Sequence, residues 1–121
     1  MKIEILHEEE GLVAVNKPAG LLVIPDRFNA DLPCLKHLLE QRFNQKIFVV
    51  HRLDKETSGV ICFARNEATH RYLSRLFQEH ETEKIYTGLV HGHVIQKAAR
   101  IETAIVPHPS IKGKMTTSRR G

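Results

Sequence analysis

The chain reads as α+β, with a mixed, largely antiparallel sheet and flanking helices. Two observations predict this. Short β-rich runs and helix-spaced segments come in the order strands, helix, strands, helix, strands. At 121 residues the chain is one domain of ordinary size, able to bury a real core.

Ile3–Leu6 opens as a short strand, and Glu8-Glu9-Glu10-Gly11 reads as a turn. Leu12–Asn16 is β-rich enough to be buried on both faces. Lys17-Pro18-Ala19-Gly20 breaks it, because proline removes a donor and glycine permits positive φ. Leu21–Ile24 is the next strand, closed by Pro25-Asp26. Residues 31–43 are expected to be helical, with Asp31 as cap and Pro33 in the first turn. Ile47–Val50 and Val60–Ala64 are strands on either side of a polar stretch. Asn66 caps a second helix, with Thr69, Tyr72, Leu73, Leu76 and Phe77 on one face. Glu83–His91 returns to strand, and Ile101–Val106 is a weaker strand before Pro107 and Pro109.

Composition narrows the class. The apolar fraction is 41% and the charged fraction 26%, which is globular rather than disordered. Apolar runs are far shorter than a membrane span, and no signal-like stretch opens the chain, so a cytoplasmic protein is expected. Cys34 and Cys62 are isolated thiols, expected to be reduced and half-buried. Among eight histidines, His91 and His93 are the one close pair, which is too few ligands for a zinc site. Net charge is +4, and residues 112–121 hold Lys112, Lys114, Arg119 and Arg120 with no acid. On charge alone this stretch is either a phosphate-contacting arm or a solvated terminus.

The chemistry concentrates in HRLDKETSG, residues 51–59. Were the preceding strand to persist through residue 54, Arg52 and Asp54 would share one face, with His51 and Leu53 on the other. An arginine beside a carboxylate keeps it ionised, and a positioned carboxylate serves as nucleophile or base. His51, Thr57, Ser58 and Gly59 are read as loop scaffold: hydroxyls bond local backbone and glycine turns the chain. On the residues alone, a structural ion pair in a turn is equally open.

This stretch resembles the HRLDxxTSG signature of the RluA/RsuA-type pseudouridine synthases, matching all seven fixed positions. Val15–Val23 looks like that family's NKPxGLxV segment. Residues 83–92, EKIYTGLVHG, look like its KxYxAxVxG segment, with Gly88 where alanine is usual. The resemblance implies a pseudouridine synthase-like fold and isomerisation of uridine to pseudouridine in ribosomal or transfer RNA, without metal or organic cofactor. It implies Asp54 as the essential carboxylate and Tyr86 as a catalytic-site tyrosine near the target uracil. Arg52 matches the arginine that enters the helix as the uridine flips out, in line with the general need to unstack a base before acting on it. Lys17 is read as either an RNA phosphate contact or an ordinary surface lysine. Attack of the aspartate at C1′ and proton removal at C2′ both remain open.

The later family pattern GRxHQIR does not occur, nor does an S4-type domain before Ile3. Residues 1–121 are therefore expected to be the N-terminal portion of a synthase catalytic domain, incomplete and inactive alone. Exposed sheet edges and apolar faces would then favour self-association. The competing expectation is a noncatalytic RNA-binding module of the same fold; membranes are not expected as partners.

Overall fold

The computed structural model describes residues 2–112 and 114–118. It divides into two compact units, Met1–Ile85 and Tyr86–Gly121.

The first unit is built on a four-stranded antiparallel sheet, in the order β1-β2-β4-β3. Its strands are β1 (Glu4–Glu8), β2 (Leu12–Lys17), β3 (Phe48–Val49) and β4 (Gly59–Ala64). β2 and β4 form the centre, with Val13 opposite Phe63, Val15 opposite Ile61 and Lys17 opposite Gly59. Because side chains alternate, these residues share one face. Val13, Val15, Ile61 and Phe63 are fully buried on it. Leu35 and Leu39 of α1 (Leu35–Phe43) join the same cluster, with Leu21, Val23, Ile47 and Leu53. Each such aliphatic or aromatic side chain contributes roughly 1.5–3 kcal/mol on full burial.

α2 (Glu67–Gln78) covers the opposite face. Phe48 and Val49 point to opposite sides; Val49 packs on the core and Phe48 stacks on His70 of α2, with ring centroids 5.0 Å apart. Asn66 caps α2 as expected, its side-chain oxygen accepting the Thr69 N–H at 2.8 Å. Tyr72 does not share the buried face: it is 55% exposed, while Thr69, Leu73, Leu76 and Phe77 are half-buried.

Other elements depart from expectation for identifiable reasons. Leu21–Ile24 is not a strand; it makes one parallel bridge, Leu22 to Cys34. Its carbonyls are engaged elsewhere, since Leu22 and Val23 accept the N–H groups of Leu35 and Lys36 at 2.7 and 3.0 Å. Those bonds satisfy donors that open α1, so the helix starts at Leu35 with Cys34 as cap and no side-chain cap bond. Asp31 does not cap; its N–H is taken by the Asn29 side chain at 3.1 Å. Residues 83–91 are irregular, with no ladder partner among the described residues. Both cysteines are free, but Cys34 is buried rather than half-buried.

In the second unit, β5 (Ala104–Pro107) pairs antiparallel with β6 (Met115–Ser118). β6 lies in the basic stretch, where no strand was expected; its Thr116-Thr117 suits a pleat that charge counting overlooks.

Replacing Asn66 with alanine removes the α2 cap. Urea unfolding is expected to show a loss of about 1 kcal/mol.

Candidate active site

Lys17 closes β2. Its parity with Val13 and Val15 turns its side chain toward the core, where it is fully buried. A buried ammonium needs acceptors for its protons. Lys17 Nζ donates to the carbonyls of Pro18 at 3.0 Å, Leu21 at 2.7 Å and Lys55 at 2.9 Å. It is therefore neither a surface lysine nor a phosphate contact: its three donors are engaged inside the protein. Burial lowers its pKa from the ordinary lysine value, opposed by the carboxylates of Glu56 and Asp54.

These bonds join two loops. The Lys55 carbonyl accepts a second donor, the Gly20 N–H at 2.7 Å. Gly20 has φ +90, which suits glycine and disfavours side-chain-bearing residues. Residues 18–21 are thus fastened to the HRLDKETSG loop at Lys55. One residue earlier, the Asp54 carbonyl accepts the Thr57 N–H at 3.0 Å and closes a turn. Gly59, with φ +133, leads the loop into β4 opposite Lys17.

The other end of the motif is held by His51. Its Nε2 accepts the Cys62 N–H of β4 at 3.0 Å. Its ring stacks on Phe77 of α2, with centroids 4.3 Å apart and planes 17° from parallel. Burial lowers its pKa, and the nearby Lys84 ammonium adds to this, so the neutral acceptor form is favoured.

β3 ends at Val49, so Arg52 and Asp54 do not sit on a strand. The alternation survives nonetheless: His51 is half-buried and Leu53 buried, while Arg52 and Asp54 are exposed. Leu53 packs into the core cluster and directs its neighbours outward. Arg52, Asp54 and Lys55 line an open cavity of ≈ 490 Å³ with Leu22, Val23 and Ile24. Among the described residues, no hydrogen bond or ion pair occupies the Asp54 carboxylate. Thr57 is half-buried and Ser58 exposed. Tyr86 begins the second unit, where it is 63% exposed.

The model of the RNA pseudouridylate synthase family matches residues 11–121. The chain belongs to that family. It resembles RluA-type members in particular. The tRNA pseudouridine synthase C of Haemophilus ducreyi is 39% identical over 98 residues, which cover 80% of this chain and 40% of the relative. The dual-specificity RNA pseudouridine synthase RluA of Vibrio vulnificus is 37% identical over 103 residues, covering 85% of this chain and 41% of the relative. Among solved structures, human RNA pseudouridylate synthase domain containing 4 superposes with a TM-score of 0.58 at 27% identity, covering 98% of this chain and 48% of that one. The chain thus spans about 40% of the length of these curated relatives.

Sequence reasoning placed Arg52 and Asp54 together and treated His51 as scaffold. It misassigned Lys17, although the alternation Val13, Val15, Lys17 along a doubly buried strand carried the signal. No helix among the described residues is long and apolar enough to cross a membrane. Nor do three or more His, Cys, Asp or Glu side chains cluster as for a metal among the described residues.

Two outcomes follow from this geometry. Lys17→Met leaves the Pro18 and Leu21 carbonyls without the Lys17 donor, and the Lys55 carbonyl with the Gly20 N–H alone; it is expected to lower stability by about 3 kcal/mol, read from urea midpoints. His51 binds a proton less readily folded than unfolded. Its contribution is therefore present above the ordinary histidine pKa of about 6.5 and lost as pH falls through the lower folded value. The urea midpoint is expected to fall on acidification through that window, and more steeply than in His51→Gln.

Proposed function

We propose that this chain carries the aspartate-bearing part of an RNA pseudouridine synthase site. The observation that carries the reading is the joint placement of Arg52 and Asp54 on one cavity, over backbone held by Lys17 and His51. Family membership supplies the reaction: uridine in RNA becomes pseudouridine. The N1–C1′ bond breaks, the uracil turns, and C5 joins C1′. C5 gives up its hydrogen and N1 gains one, so the change is an isomerisation that needs no cofactor.

Asp54 is the proposed reacting carboxylate. Its exposure lets a flipped nucleotide reach it, and Arg52 beside it offers a guanidinium to the opened helix or its phosphates. Tyr86 is proposed to stack near the uracil, on the strength of the EKIYTGLVHG match. Thr57, Ser58 and Gly59 complete the loop. The names of the relatives support transfer RNA or ribosomal RNA as the substrate class. We further propose that the 121-residue chain alone turns over little. In support, the Asp54 carboxylate makes no ion pair among the described residues, and such a pair would hold a reacting carboxylate in place.

Tritium release from RNA labelled at uridine C5 tests the chemistry, because C5 loses its hydrogen only on becoming the glycosidic carbon. Little release is expected from this chain, and full release from a longer chain that contains it. Asp54→Asn in that longer chain is expected to abolish release while RNA binding persists. Release that survives the substitution overturns the role given to Asp54.

A further inference from the structure

Five phenylalanines occur in the chain, and four have an evident structural place. Phe63 is fully buried, and Phe43 packs against the core. Phe48 stacks on His70, and Phe77 on His51. Phe28 has no such place. It is 89% exposed, and no ring or cation among the described residues stacks on it. A phenyl ring left in water forgoes the stabilisation that burial would give.

Phe28 stands on a loop, residues 25–33, that springs from the wall of the cavity. Leu22, Val23 and Ile24 line that cavity together with Arg52 and Asp54. The loop is held at its neck. Leu22 bridges Cys34, and the Leu22 and Val23 carbonyls accept the N–H groups of Leu35 and Lys36. Just past Phe28, Asn29 closes a local turn: its side-chain oxygen accepts the Asp31 N–H at 3.1 Å, and its carbonyl the Leu32 N–H at 3.3 Å. From Ile24 to Phe28 the chain reaches at most about 14 Å. The ring is therefore presented on fastened backbone, within that distance of the cavity wall.

Charge narrows what the ring can meet. Residues 25–33 hold Asp26 and Asp31 against Arg27, so the loop offers no net cation to phosphates. Its recognition chemistry is an apolar π face. Nucleobases carry a matching face. In single-stranded loops and bulges that face is free, whereas within a helix the bases above and below cover it.

We propose that Phe28 stacks on the base of a nucleotide flanking the target uridine, and so selects uridines whose neighbour is unstacked. This rests on the family reading for RNA as the substrate, and names what the site asks of it. Every base has a π face, so the selection is for loop context rather than for base identity.

Tritium release by a longer chain containing these residues first locates the modified uridine in transfer or ribosomal RNA transcripts. The probes are then synthetic hairpins that copy the loop around it, intact or with one neighbouring nucleotide made abasic. Phe28→Ala is expected to lower kcat/KM on the intact hairpin about tenfold or more, raising KM more than it lowers kcat. Phe28→Tyr, which keeps a ring, is expected to restore most of the loss. On the hairpin abasic at the stacked position, wild type and Phe28→Ala are expected to react alike. Stacking releases no counterions, so the slope of log K against log salt is expected to stay the same in Phe28→Ala. An undiminished kcat/KM in Phe28→Ala overturns the proposal, as does a loss that persists on every abasic hairpin. A lowered urea midpoint with unaltered kcat/KM assigns the ring to packing within the longer chain and overturns it too. Wild type that releases no tritium from any transcript removes the family reading of the site. Anisotropy of a labelled transfer RNA transcript with the 121-residue chain then decides Phe28 by itself. Weaker binding by Phe28→Ala than by Phe28→Tyr upholds the stacking contact; equal binding removes it.

Discussion

One buried ammonium organises the site. Lys17 sits where β2 ends, and its three protons reach the carbonyls of Pro18, Leu21 and Lys55. Two of these belong to the turn that follows the strand, and the third to the loop that carries Asp54. A side chain of similar length without a donor, such as methionine, could satisfy none of them. The cation is costly to bury, and the carbonyls offset that cost only if all three stay in place. The two loops are therefore positioned as a unit. Without Lys17 the Gly20–Lys55 bond would stand alone between them.

His51 does complementary work from the other end of the motif. Lys17 fastens the loop one residue after Asp54; His51 fastens it three residues before, to β4 through Cys62 and to α2 through Phe77. Between the anchors, Leu53 is drawn into the core, and alternation sends Arg52 and Asp54 outward. The loop has little regular structure, yet the backbone on both sides of the carboxylate is fixed. Both anchors act through groups whose protonation matters: the lysine must donate, and the histidine must accept.

Much of this was legible in the amino-acid order. The β2 and β4 runs, the Asn66 cap and the glycines at 20 and 59 follow from local rules, and the structure keeps them. Alternation within HRLD was legible too, though its cause is burial of Leu53 rather than a continuing strand. The departures share a cause in tertiary hydrogen bonding. Leu21–Ile24 has strand composition, but its carbonyls cap α1, a use no local pattern announces. Asp31 is a good cap in isolation and loses that place because the helix opening is satisfied from residues 22 and 23. Lys17 was misassigned because lysine is seldom buried. Only the parity of the strand, set against the general habit of the residue, pointed inward.

The division of labour between rigid backbone and open side chains suits the proposed reaction. In an isomerisation that detaches and turns a uracil, the base must move within the site while the carboxylate does not. An enclosed pocket would resist the rotation, and a mobile aspartate would lose the advantage of orientation. A cavity of ≈ 490 Å³ above a loop anchored at Lys55 and His51 meets both demands. The exposed Arg52 extends the same logic to the RNA: a long, permanently charged side chain can follow phosphate or fill a helix without disturbing the backbone beneath it. The backbone that carries Asp54 is thus positioned by Lys17, far from it along the chain, and by His51, three residues before it.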